Sequence, residues 1–119
     1  MVKVKNDSYH LNKMLKYIDY INAYVKHIKD NRGVLKANDQ NSDGVIYKFL
    51  QLKEEASAIS DELLIKYPMF NDNLKELSGF RNRLTHDYEN VSYTFFTEII
   101  EIDLPILKNM IIEILNDLT

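Results

Sequence analysis

Residues 8–28, with the sequence SYHLNKMLKYIDYINAYVKHI, decide the fold of this chain. Apolar residues recur there at every third or fourth position, which places them on one face of an α-helix. These residues are Leu11, Met14, Leu15, Ile18, Ile21, Val25 and Ile28. The pattern predicts a long amphipathic first helix, with Asn6-Asp7-Ser8 as capping residues at its start and an end near Gly33.

Two further helices are predicted downstream of this segment. A polar loop over 38–44 is expected to precede a second amphipathic helix over 45–66, and Pro68 marks its end. Asn71-Asp72-Asn73 offers capping side chains for a third helix that continues through Leu84.

The last apolar segment covers residues 95–118, after a capping residue at Ser92. Pro105 lacks the N–H of a helix interior, so a break is predicted at Asp103-Leu104-Pro105. Short connections make successive helices antiparallel neighbours. The sequence therefore predicts an all-α, up-and-down four-helix bundle, or five helices if the last is split, in one domain spanning 1–119.

Composition supports this fold class and excludes several others. The chain has 119 residues with only three glycines and two prolines, which favours long helices over turn-rich sheets. Because it has no cysteine, neither disulfides nor thiolate metal sites can form. The sequence contains no apolar signal segment and no membrane-spanning window, so we expect a soluble, cytoplasmic protein.

The formal net charge is -3, which argues against a protein that coats nucleic acid through its overall charge. Any contact with RNA must therefore be local, at a site where a few Arg and Lys side chains meet phosphate.

The octet Arg81-Asn82-Arg83-Leu84-Thr85-His86-Asp87-Tyr88 concentrates the chemistry of the chain near the end of the third helix. Arginine presents a rigid fork of donors to phosphate oxygens, and histidine exchanges protons near neutral pH. Asn82 lies four positions before His86, on the same helix face, where it can orient the imidazole. These residues suit attack on a phosphodiester, with Arg81 stabilising charge and His86 moving protons.

One histidine cannot easily perform both proton transfers of RNA cleavage, so a homodimer that brings two copies of His86 together is expected. Tyr17, Tyr20 and Tyr24 form a helical stripe that could stack on bases or lie at the subunit interface, and the interface is favoured. The apolar residues of the last segment are explained by core burial: Met110, Ile111, Ile112, Ile114, Leu115 and Leu118.

The remaining titratable candidates give no metal site. His10 and His27 have no partners at metal-ligand spacing and are expected to be exposed to solvent. Glu54 and Glu55 point about 100° apart on a helix, so they do not form one acid–base pair. Glu54 is expected to line the cleft in which the catalytic residues lie, and Glu55 is expected to lie on the surface.

The pattern of Arg81, four residues, His86, one residue and Tyr88 resembles the HEPN domain, and more narrowly the HepT-like toxins. Further similar features are Gln51-Leu52-Lys53-Glu54-Glu55-Ala56, Gly79-Phe80 and Asp103-Leu104-Pro105. The resemblance extends over about residues 9–117.

The resemblance implies a homodimeric, HEPN-like bundle that cleaves RNA without a metal or cofactor, with Arg81 and His86 as the catalytic pair. It also implies a type VII-like toxin–antitoxin pair whose antitoxin is a small nucleotidyltransferase. In that family the antitoxin adds AMP to the tyrosine two places after the histidine, which is Tyr88 here. HEPN domains also occur as non-catalytic helical modules that bind a nucleotidyltransferase, and this is the alternative function.

Overall fold

The described part of the chain is built from α-helices. The computed structural model describes the backbone of residues 3–30, 40–86 and 99–118 and the side chains of 7–26, 44–80, 82–83 and 99–118. In chain order the elements are α1 (Lys3–Asp30), α2 (Gln40–Ser57), α3 (Asp61–Lys66), α4 (Pro68–His86), a π-helical turn (Ile99–Asp103) and α5 (Leu104–Leu118). These ranges contain no strand, and the predicted all-α class is confirmed.

Four of the helices form an up-and-down bundle. Helix α1 packs against α2 and α5, and α4 packs against the same two helices. His10 near the start of α1 pairs with Glu55 near the end of α2, so these helices are antiparallel. Tyr67, just before α4, donates a hydrogen bond to Asp117 near the end of α5, which makes that pair antiparallel as well.

The core contains the apolar stripe of each helix. Phe49 of α2 and Phe80 of α4 meet edge to face, with ring centroids 5.0 Å apart and an interplanar angle of 71°. Burial of one such side chain contributes about 1.5–3 kcal/mol. The predicted spacing in α1 is confirmed by its buried residues, which are Leu11, Met14, Ile18, Ile21 and Val25.

The predicted capping of α1 by residues 6–8 is wrong, because the helix begins at Lys3 and contains these residues. Asp7 is only 6% exposed. Its carboxylate accepts hydrogen bonds from the backbone N–H of Ser60 at 2.8 Å and from the Ser60 hydroxyl at 2.6 Å. Asp7 therefore joins α1 to a distant segment instead of capping its own helix.

The single helix predicted over 45–66 is also wrong. Helix α2 begins at Gln40, within the predicted loop, and ends at Ser57. A turn follows, and Ser60 caps α3 by accepting a hydrogen bond from the N–H of Leu63 at 3.3 Å. Asp7 holds Ser60 by both its N–H and its hydroxyl at the point where the chain changes direction between the two helices.

Pro68 follows the end of a helix at Lys66, as predicted, and also begins the next helix. It is the first residue of α4, where its missing N–H has no intrahelical partner to lose. The predicted caps Asn71-Asp72-Asn73 lie inside α4, and the amide of Asn73 donates to the carbonyl of Met69 at 3.1 Å.

At the predicted break, Asp103-Leu104-Pro105, the chain stays helical but changes from a π-helical turn to an α-helix. The π-helical turn ends at Asp103, and Pro105 is the second residue of α5. Core burial explains most of the last segment but not Ile112, which is 39% exposed. The expected helix end at Gly33 and the cap at Ser92 lie outside the described residues.

Candidate functional site

The final turns of α4 carry three of the predicted site residues. Residues 81–86 are helical, so Arg81, Asn82 and His86 belong to one continuous element. The preceding turns are fixed by Leu74, Leu77 and Phe80, which are buried in the core. Since one face of α4 is held in this way, the opposite positions are turned outward, and Asn82 and Arg83 are exposed.

Helical geometry sets the angular relationships within the motif. Positions 81 and 86 differ by roughly 140° around the axis, whereas positions 82 and 86 are separated by about 40° and one turn. Position 82 lies between the other two in direction. The side chains of Arg81 and His86, and all of Tyr88, lie outside the described residues.

A groove between α2 and α4 reaches the motif at Asn82. Its volume is about 600 Å³, within the range of about 300–1,000 Å³ that is common for ligand sites. From α2 and α4 it is lined by Tyr47, Leu50, Gln51, Lys53, Glu54, Ser57, Ser78 and Asn82. As expected from the sequence, Glu54 lies in this groove.

The groove wall formed by α2 is largely polar and carries one positive side chain, Lys53, and one negative side chain, Glu54. The Lys53 ammonium donates to the hydroxyl of Ser57, 2.5 Å away and one turn later. Glu54 is exposed in the groove. Oε1 of Gln51 is buried and accepts no hydrogen bond from any described residue.

Sequence reasoning missed a cluster of tyrosine rings around Lys48. Its ammonium lies 4.7 Å from the ring centroid of Tyr20, 5.5 Å from that of Tyr17 and 5.9 Å from that of Tyr47. No periodic pattern predicts this cluster, because it depends on how α1 packs against α2. We refer to Tyr17, Tyr20, Tyr47 and Lys48 as the tyrosine–lysine surface.

The tyrosine stripe of α1 is divided between the core and the surface. Tyr17 and Tyr24 are partly buried against the hydrophobic core of the chain. The ring of Tyr24 lies over Gly44, where an added Cβ would be 3.5 Å away. Tyr20 is 42% exposed. Its place in a subunit interface stays a prediction.

The expectation that His10 and Glu55 are unpaired surface residues is wrong. Nδ1 of His10 lies 2.5 Å from Oε2 of Glu55, and both side chains are partly buried. This pair holds the start of α1 against the end of α2, at the opposite end of the bundle from residue 86. Its role is structural.

Within the described ranges, no group of three or more acidic or histidine side chains is placed to hold a metal ion. The same ranges contain no helix with both the length and the apolar character needed to cross a membrane.

Comparison with known proteins gives the identity of the fold. Residues 14–114 match the family described as ribonuclease HepT-like. This region runs from α1 into α5 and contains the whole octet that begins at Arg81. No solved structure shows significant similarity to the chain. Because the match covers most of its 119 residues, the chain belongs to the ribonuclease HepT-like family.

Proposed function

We propose that this chain is the toxin of a type VII-like toxin–antitoxin pair and cleaves RNA endonucleolytically without a metal ion. The observation that carries the proposal is the family match across Arg81, Asn82 and His86, together with the groove that Asn82 borders. Arg81 binds the scissile phosphate, His86 transfers protons, and Asn82 orients the imidazole.

The reaction requires three events at one phosphodiester. The 2′-hydroxyl loses its proton and its oxygen attacks phosphorus, so negative charge develops on the phosphorane. The bond to the 5′-oxygen then breaks, and that oxygen gains a proton, leaving a cyclic phosphate. Positioned general acid–base catalysis contributes about 10²- to 10⁴-fold, and a guanidinium directed at the developing charge adds a similar factor.

We further propose that the active unit is a homodimer. A single imidazole that has accepted the 2′ proton must move or exchange before it protonates the 5′-oxygen. Two copies of His86 facing one groove supply the base and the acid together. In this arrangement a monomeric variant loses most of its activity even though each chain keeps its own motif.

The proposed partner is a nucleotidyltransferase antitoxin that adds AMP to Tyr88. Tyr88 follows His86 by two positions, so the added phosphate lies close to the catalytic pair along the chain. The modification brings bulk and negative charge, which compete with RNA phosphate for the Arg81 donors. Cytoplasmic location is part of the same proposal.

The decisive experiment measures cleavage of RNA by purified protein in the presence of a chelator. We expect wild type to cut and His86→Ala to lose about 10²-fold or more in rate, with helicity and oligomeric state preserved. The matched control is His10→Gln, which changes a histidine at the other end of the bundle and keeps a donor towards Glu55.

Equal rates for wild type and His86→Ala would remove the enzyme proposal. The chain would then be assigned the alternative role, a non-catalytic helical module that binds a nucleotidyltransferase.

A further inference from the structure

The tyrosine–lysine surface contains a cation that no carboxylate of the described residues neutralises. Lys48 forms no ion pair with a carboxylate among the described residues, although its ammonium lies within 6 Å of three ring centroids. The ammonium of Lys16 lies 5.9 Å from the centroid of Tyr20, at the edge of the same surface. In a chain with a net charge of -3, this is a local concentration of positive charge beside aromatic rings.

Tyr47 connects this surface to the groove. It is 60% exposed, and it both borders Lys48 and lines the groove that ends at Asn82. An exposed ring offers a flat face to a base, and such stacking is worth about 1–3 kcal/mol per base with little dependence on sequence. A strand that occupies the groove therefore meets the ring of Tyr47 and, beside it, the ammonium of Lys48.

The groove offers a further contact that suits RNA. Glu54 is exposed on the groove wall that α2 forms. Its carboxylate repels phosphate and accepts from base or sugar donors. The sugar and base edges are thus favoured on the α2 wall, and phosphate is favoured at Lys48.

We propose that the groove between α2 and α4, extended by the tyrosine–lysine surface, binds single-stranded RNA next to the cut site, with a base stacked on Tyr47 and a phosphate at Lys48. This inference rests on the proposed ribonuclease function and deepens it, because it names the substrate class as unpaired RNA. A duplex cannot present a base face to Tyr47 without being opened.

A second copy of the chain is the competing occupant of this surface. Lysine is depleted from protein–protein interfaces, particularly from their buried centres. Lys48 lies at the centre of the surface, with three tyrosines around it. Covering it with another subunit would desolvate an ammonium that no described carboxylate neutralises, which is costly. RNA supplies the missing anion, so RNA is the favoured occupant.

The test measures equilibrium binding of a single-stranded RNA by fluorescence anisotropy. The RNA carries a 2′-O-methyl group on every ribose, so it has no 2′-hydroxyl to attack phosphorus and cannot be cleaved. We expect Tyr47→Ala to weaken binding about 5- to 100-fold and Tyr47→Phe to retain it. Lys48→Gln should reduce the slope of log K against log salt by about 0.7, the value for one phosphate contact on a single strand.

The matched control is Tyr9→Ala. Tyr9 is 55% exposed and has the ammonium of Lys13 at 5.8 Å from its ring centroid, but it lies near the start of α1. The Tyr9→Ala variant should bind the single-stranded oligonucleotide with wild-type affinity. A duplex of the same sequence should bind more weakly than the single strand.

Four results would overturn the inference: no binding by wild type, wild-type affinity in Tyr47→Ala, equal loss in Tyr9→Ala and Tyr47→Ala, or, last, an altered sedimentation coefficient in Tyr47→Ala without RNA. The last would assign the surface to a second copy. Binding is read without cleavage, so a protein that binds as expected but does not cut refutes only the ribonuclease function. If wild type cuts RNA but Tyr47→Ala binds the oligonucleotide with wild-type affinity, only the inference about the binding surface is refuted.

Discussion

Asp7 and Ser60 are 53 residues apart in sequence and share two hydrogen bonds, both directed at the carboxylate of Asp7. The same serine hydroxyl that donates to Asp7 also accepts from the N–H of Leu63. One side chain thus fastens α1 to the turn after α2 and caps α3. This relationship fixes the end of the bundle from which α4, and hence the motif, extends.

Ser60→Ala should destabilise the protein by about 1–3 kcal/mol, because it removes the cap of α3 and leaves Asp7 with one donor fewer in a buried position. The measurement is urea unfolding followed by helical circular dichroism.

The control for this change is Ser57→Ala, three residues earlier and exposed. Its hydroxyl contacts only Lys53 among the hydrogen bonds described here, and its stability should stay within about 0.5 kcal/mol of wild type. Comparable losses in the two variants would mean that the link from Asp7 to Ser60 contributes little to stability.

Apolar periodicity predicted the buried residues more accurately than it predicted helix ends. The helix predicted over 45–66 includes Ala56, Ile59 and Leu63, and all three are buried although Ile59 lies in the turn between α2 and α3. Periodicity reports which side chains face the core. The start of α3 is marked by a local cap at Ser60, whereas the contact of Ser60 with Asp7 spans 53 residues and follows from no local pattern.

In the candidate site, too, some residues could be predicted from the sequence and others could not. Glu54 was expected to line a cleft, and it lines the groove between α2 and α4 together with Asn82 of the motif. The cluster around Lys48 was not predictable, because Tyr17 and Tyr20 reach it from another helix. Neighbours on one helix follow from spacing, whereas neighbours across helices require the packing of the bundle.

The hydroxyl of Tyr67 should titrate at unusually high pH. Its hydrogen bond to the Asp117 carboxylate, together with desolvation and the negative charge of Asp117, raises its pKa above the ordinary value of 10.0. Since the folded state holds the proton more tightly, this stabilisation is present below pH 10 and is lost as the pH rises through the raised pKa.

Tyrosinate absorbance, compared between wild type and Tyr67→Phe, measures this titration. Asp117→Asn should move it back towards the ordinary pKa, since the charge and the strong acceptor are removed. An unchanged titration in Asp117→Asn would show that Asp117 does not hold the proton.

Modification by the proposed antitoxin should require the hydroxyl of Tyr88. After incubation with the cognate nucleotidyltransferase and ATP, the intact mass of wild type should rise by one or more adenylyl units, while that of Tyr88→Phe should not. Tyr93→Phe, five positions later, is the control and should be modified like wild type. A mass increase on Tyr88→Phe would place the modified residue elsewhere.

Arg81→Lys should lower the rate of RNA cleavage about 10²- to 10³-fold, although it keeps the positive charge. An ammonium is a point charge, whereas a guanidinium can donate two parallel hydrogen bonds to a phosphorane. The same change at Arg83, which is exposed two positions later on another side of α4, should leave the rate unchanged. Single-turnover cleavage of one oligonucleotide compares the two variants directly. If Arg81→Lys cut as fast as Arg83→Lys, charge alone would suffice at position 81, and the paired hydrogen bonds assigned to this guanidinium would not contribute to the reaction.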